Sequence, residues 1–209
     1  MENKSKISKD KKNLTDVQIK RLEEFNRVRE ELLEQGYKEK DLSVSTLKAN
    51  VMVLVTTAPI FVVCYLLFFA IYGENYKYTR LDIGFWIIVL IGIVVHELIH
   101  GITWAVFCKK KWGAIGFGVD WSTLTPYCCC SEGLAFKNYA LGCAMPTIVV
   151  GLLTYIIGLV LGNYFFAMFG AFHILCGGGD AYILWLIRKE KNAIIVDHPY
   201  LVGCVAFEK

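Results

Sequence analysis

Residues 91–104 read Ile91-Gly92-Ile93-Val94-Val95-His96-Glu97-Leu98-Ile99-His100-Gly101-Ile102-Thr103-Trp104, a His-Glu-x-x-His pattern set inside an otherwise uncharged run. On a helix, positions four apart share a face, so His96 and His100 project side by side and can hold one metal ion, with Glu97 next to them. In a soluble chain this spacing arises by chance often enough to carry little weight. In hydrocarbon the balance changes, because each ionisable group at a span centre costs about 2.5 kcal/mol or more on insertion scales. Three such groups in five residues need a partner. A bound cation is one; a water-filled cavity or a hydrogen-bonded helix seam is the other. The metal reading makes His96 and His100 zinc ligands and Glu97 the group that takes the proton of an activated water.

Outward from the motif, the chain is built for a bilayer. Its 209 residues are 56% hydrophobic and include 13 Phe, 11 Tyr and 5 Trp, too apolar for an ordinary soluble domain. Charge is segregated: residues 1–48 carry 12 Lys/Arg and 10 Asp/Glu, and long apolar runs follow. Four spans are expected, at about residues 49–71, 83–107, 140–162 and 164–187, each long enough for a core of about 30 Å. Of the 22 basic residues, only Lys77 and Arg80 fall in the loop between the first two spans. The excess of Lys and Arg on the cytosolic side therefore predicts a multi-pass protein of the cell membrane with both termini cytoplasmic. The net charge of +3 is spread over segments flanking the spans, and no nucleic-acid partner is expected. The polar first 48 residues lack the apolar core of a signal peptide.

The predicted organisation is a cytosolic segment at 1–48, a membrane domain at 49–187 and a cytosolic tail at 188–209. In the first segment, Thr15 and Gln18 form a capping-box pattern and Leu14 and Ile19 a hydrophobic staple, with Gly36 as a stop. Ile19, Leu22, Phe25, Val28 and Leu32 make an apolar stripe, so this helix docks on the protein or lies at the membrane surface. Residues 112–139, with Gly113, Gly116, Gly118, Thr123, Thr125, Pro126 and alternating aromatics, suit a short hairpin. Such a hairpin would roof the motif and receive an extended peptide by strand pairing. The expected fold class is thus an all-α membrane protein, a four-span helix bundle with an amphipathic N-terminal helix and a short β-like cytosolic or re-entrant hairpin. Eight cysteines lie in apolar spans or on the reducing side and make no disulfide framework. Consecutive Cys128, Cys129 and Cys130 cannot easily all point at one ion.

A catalytic zinc takes three protein ligands and leaves one position open. Asp180 is the favoured third ligand. It lies eight residues before Arg188, as His100 lies nine before Lys109, so at 1.5 Å per residue both sit about 12 to 14 Å from the cytosolic ends of their helices. Gly177, Gly178 and Gly179 permit close approach to the motif helix. His173, on the same face two turns away, and Asp120, Glu132 and the Asp197–His198 pair are the alternatives.

His96 to His100 in one span and Asp180 in a later one resemble the two-motif arrangement of site-2 proteases, the zinc intramembrane proteases. The compact four-span layout is similar to a bacterial domain-of-unknown-function family of zincin peptidases. Site-2 proteases commonly carry Gly after the Asp, where this chain has Ala181. The resemblance implies a Zn2+ cofactor and hydrolysis of peptide bonds in a membrane protein or peptide substrate at the lipid bilayer, with Glu97 catalytic. Two other roles use the same residues: a non-catalytic zinc-binding membrane scaffold and a small metal or proton transporter. Neither requires a carboxylate beside the first histidine, and the paired broken spans of transporters are not seen in the sequence.

Overall fold

The computed structural model describes residues 14–78, 80–121 and 125–209. Thr123 of the expected hairpin, with Ser122 and Leu124, lies outside them, as do residues 1–13. The first helix, α1 (Asp16–Glu34), starts at the expected capping box: the Gln18 N–H donates to Thr15 Oγ1 at 3.3 Å, and the Thr15 N–H donates to Gln18 Oε1 at 2.9 Å. The stripe of α1 is docked. Leu32 and the flanking Phe25 and Val28 pack on Val196, Val205 and Phe207, at the C-terminal end of the chain.

These C-terminal residues correct the expected tail. Residues 188–209 contain β5 (Ile194–Asp197) and β6 (Cys204–Glu208), which pair antiparallel with each other, while β6 also takes β1 (Lys38–Asp41) and β5 takes β4 (Leu134–Ala135). The N- and C-terminal segments thereby share one sheet of order β1-β6-β5-β4. The fold is mostly helical with two small sheets and is not all-α. Ile194-Ile195-Val196 and Cys204-Val205-Ala206-Phe207 are runs too short to announce themselves, yet their β-branched and apolar residues suit a strand, and Cys204 to Phe207 are buried on both faces of the pleat.

Between the sheet partners lie helices long and apolar enough to cross a membrane: α2 (Thr46–Tyr72), α3 (Ile83–Phe107), and a third continuous stretch at Phe136–Leu161. A fourth crossing is complete only if a bent pair counts as one. The α3 helix has the expected bounds and begins where Asp82 accepts from the N–H groups of Gly84 and Phe85, at 2.9 and 3.4 Å. Its far end is held by Glu132, whose carboxylate accepts from the N–H groups of Lys109 and Lys110 at 2.7 and 2.9 Å.

The hairpin is present but shorter than expected. Strands β2 (Ile115–Asp120) and β3 (Thr125–Cys130) pair antiparallel, with Ile115 opposite Cys130, and they pack on α3. Residues 136–139 belong instead to α4 (Phe136–Pro146), so the third apolar stretch begins four residues before the expected start. Pro146 ends α4, a π-helical segment (Thr147–Leu153) follows, and α5 (Thr154–Leu161) completes the stretch. Proline removes a helical N–H, and such wide turns commonly take up the defect.

The last apolar run is broken: α6 (Tyr164–Cys176) and α7 (Gly178–Ile187) meet at Gly177 with a bend of 42°. A Cβ on Gly177 would lie 1.9 Å from Thr147 Oγ1, so only glycine fits where this joint crosses the π-helical segment. The glycine run expected to permit close approach to the motif helix also divides the last apolar run in two. Asp180 falls in the first turn of α7.

Candidate metal centre

The four candidate residues come from two places in the chain and meet. His96, Glu97 and His100 follow from helical spacing on α3, and their ligand atoms lie within 4.8 Å of one another. Asp180 approaches from α7: its Oδ2 is 3.0 Å from His96 Nε2 and its Oδ1 is 3.2 Å from His100 Nε2. The imidazole side chains are 6% and 4% exposed and the Asp180 side chain 17%, so the cluster is largely closed to solvent.

What orients His100 is a carbonyl freed by proline. Pro146 has no N–H to give to the carbonyl four residues earlier, that of Gly142, and this oxygen instead sits 2.9 Å from His100 Nδ1. Because a carbonyl only accepts, the proton of a neutral His100 is on Nδ1 and the lone pair of Nε2 faces Asp180. Two acceptors then look at each other across 3.2 Å, an arrangement that a cation between them relieves. The donor set also has the right scale. Ligand bonds of about 2.0 to 2.1 Å give tetrahedral edges of about 3.3 Å, close to the two observed separations. Two imidazoles and a carboxylate are a common catalytic zinc set, and the residues fit the ion.

Behind His100 the support continues to the sheet. The Trp104 ring stacks on His100 with centroids 5.1 Å apart and on Tyr139 at 5.4 Å, and the Trp104 Nε1–H donates to the Tyr139 carbonyl at 3.1 Å. Tyr139 in turn donates its hydroxyl to Asp197 on β5, whose other oxygen accepts from the Cys130 N–H at 2.7 Å. Burial holds the Asp197 carboxyl above the usual range, although these two donors oppose the rise. Sequence reasoning missed this column. Its one available signal was Pro146, four residues after Gly142. A Cβ on Gly142 would lie 1.9 Å from Trp104 Nε1, so Gly142→Ala is expected to displace the indole that backs His100. The cost should be about 1 to 3 kcal/mol of stability together with weaker zinc binding, read by thermal melting with and without zinc. A variant that melts like wild type in both states would show that the indole does not set the ring.

The alternative ligands stand elsewhere. His173 lies against Gly92, one turn before His96, and is described below. Glu132 caps α3, and Asp197 is committed to Tyr139 and Cys130. His198 accepts at Nδ1 from the Leu201 N–H at 2.9 Å, and burial lowers its basicity. Asp120 closes β2 opposite Thr125 on the hairpin. The cysteine triplet alternates as strand residues do. Cys128 has Glu97 and Asp180 among its charged neighbours and its main chain faces the Glu97 carboxylate, whereas Cys129 turns towards Arg21 and Glu24 on α1. Burial pushes the Cys129 thiol up to about 11 and raises Cys128 and Cys130 as well.

A family model described as "Putative zincin peptidase" matches residues 89–195, just over half of the chain and a stretch that includes both the motif and Asp180. The chain belongs to that family. Among curated proteins and among solved structures, none matches. Membership in the zincin peptidases points to zinc and to a metallopeptidase, and among the described residues His96, Glu97 and His100 form a group that could hold a metal ion.

Proposed function

We propose that this zincin is an intramembrane metallopeptidase that hydrolyses peptide bonds of membrane-associated proteins, with His96, His100 and Asp180 as zinc ligands and Glu97 as the acid–base residue. The observation that carries the reading is the meeting of Asp180, on the second half of the bent α6–α7 pair, with both imidazoles of α3, a helix of membrane-spanning length. Zinc, when bound, supplies the Lewis acidity that polarises a scissile carbonyl and activates water. The chain supplies the rest. Gly142 fixes the His100 ring so that Nε2 points inward, and the Asp180 carboxylate balances part of the ion's charge in a low-dielectric setting. Glu97, beside the imidazoles, accepts the water proton and returns it to the leaving amine.

A peptide bond in a transmembrane helix is shielded by its own hydrogen bonds, so the substrate must unwind before it reacts. The β2–β3 hairpin lies against α3 with the Cys128 main chain facing Glu97, a position from which a strand edge can hold an extended peptide. The reading is tested with purified protein in detergent and a transmembrane peptide. Cleavage should stop with a zinc chelator and return with added zinc. Absence of cleavage by a zinc-loaded chain across a peptide panel would favour the scaffold role.

The membrane orientation rests on the same bundle. The loop after α2 meets the turn after α5, where the Lys77 N–H donates to the Gly162 carbonyl at 2.9 Å, so these two connections share one end. An aromatic cluster of Phe68, Phe69, Tyr72, Tyr76 and Tyr164 gathers there, as at a membrane interface. Lys109, Lys110, Lys40 and Glu190 belong to the other end, with the sheet. With the sheet end cytoplasmic, an impermeant thiol reagent applied outside cells should label a cysteine placed at Asn75 above the native background, and not one placed at Lys12 or Lys191. Outside labelling at position 191 would overturn the span count.

A further inference from the structure

Among the described residues, four side-chain nitrogen or oxygen atoms are enclosed without any hydrogen-bond partner, and they belong to only three residues: His96 Nδ1, both ring nitrogens of His173, and Thr147 Oγ1. Enclosed polar atoms in native proteins are nearly always satisfied, by protein or by ordered water, so such a concentration calls for one cause. The three residues are also linked in space. His173 is fully enclosed on α6, and a Cβ on Gly92 would lie 2.3 Å from its Nε2; Gly92 is one helical turn before His96 on the same face of α3. At the other side, Gly177 is one turn after His173, its N–H donates to the His173 carbonyl at 3.1 Å, and it lies directly against Thr147 Oγ1. The residues thus step from the metal centre into the bundle, one turn at a time. Thr147 opens the π-helical segment, a defect that often marks a functional position.

His96 makes the need specific. If its Nε2 serves the metal, the ring proton is on Nδ1, and metal-bound histidines nearly always donate that second N–H. His100 does so to Gly142, whereas His96 has no protein acceptor. We infer that His96 Nδ1, His173 and Thr147 share an internal track of ordered water, and that His173 is a positioning residue which, through this water, holds the His96 ring towards the metal. A buried water takes about three hydrogen bonds from otherwise unsatisfied groups, and these four atoms are such groups. The Phe169 ring, 4.4 Å from His173, fixes the imidazole in place without offering it a hydrogen-bond acceptor.

The inference rests on the zinc reading of His96, and its test separates the two. Zinc affinity of the full-length protein is measured in detergent by chelator competition, and thermal melting is followed without metal, for wild type, His173→Phe, His173→Gln and Thr147→Val. His173→Phe, which keeps the ring's bulk, should still bind zinc at the wild-type stoichiometry but about 10- to 100-fold more weakly, the usual effect of losing a group that orients a ligand. His173→Gln, which keeps a donor and an acceptor, should stay close to wild type. Thr147→Val should melt no higher than wild type, because it removes a hydrated hydroxyl. The opposite pattern overturns the proposal: wild-type zinc affinity in His173→Phe and a higher melting temperature in Thr147→Val, as expected when an unsatisfied group leaves a dry cavity. Should His173→Phe not fold, His173→Gln and Thr147→Val decide between the same two outcomes. The melting arm needs no zinc. A wild-type chain that binds none would sink the metal reading, and the sign of the Thr147→Val shift would still report whether the track is wet.

Discussion

Glu97→Gln is expected to bind about one zinc per chain, as wild type does, and to lose about 10²- to 10⁴-fold in the rate of peptide hydrolysis. Glutamine keeps the size of the side chain and its ability to accept a hydrogen bond from the neighbouring strand, but it cannot take a proton. The three proposed ligands are untouched by the change, since Asp180 meets the two imidazoles without help from Glu97. Metal analysis and single-turnover cleavage of a transmembrane peptide read the two halves of the expectation separately. A variant that hydrolyses at the wild-type rate would sink the assignment of Glu97 as proton acceptor. A variant that loses its zinc would instead make Glu97 a ligand, which its place within the 4.8 Å group permits geometrically.

How far this site was legible from the sequence depends on the distance over which each cue acts. Helical spacing is local, so the pairing of His96 with His100 and the bounds of α3 could be read directly. The approach of Asp180 to the motif helix was legible in a longer-range way, because the rise of a helix is fixed and Asp180 and His100 are counted from Arg188 and Lys109, basic residues just past the ends of their helices. Gly142 was not legible. Its carbonyl matters only because Pro146 frees it and because α4 lies beside α3, and the second fact is tertiary. The sheet that joins residues 38–41 to 204–208 was missed for a similar reason. Each strand is four or five residues long, and its partner lies far away along the chain. Cys128 and Cys129 show the intermediate case: three consecutive cysteines were seen to be unsuited to one ion, and the alternation of a strand gives the two residues different surroundings.

Asp180→Ala is expected to abolish zinc binding in the range where wild type is saturated, because it removes a carboxylate that meets both imidazoles, at 3.0 and 3.2 Å. A carboxylate also supplies the negative charge that makes a divalent ion tolerable in an apolar interior, and two neutral histidines alone do not. Asp180→Asn sharpens the test, since it keeps the shape and an oxygen donor while removing the charge; it should retain weak binding at most. His173→Ala and Asp120→Ala should both keep a full complement of zinc at saturation, since neither residue is in the cluster, with His173→Ala reaching it at higher zinc because it removes the ring that positions His96. Equilibrium dialysis of each variant against graded zinc distinguishes lost stoichiometry from lost affinity. Should Asp180→Ala hold one zinc per chain while His173→Ala or Asp120→Ala holds none, the ligand set would have to be rebuilt around the residue that failed, and the meeting of α7 with α3 would be a helix seam held by hydrogen bonds to protonated histidine.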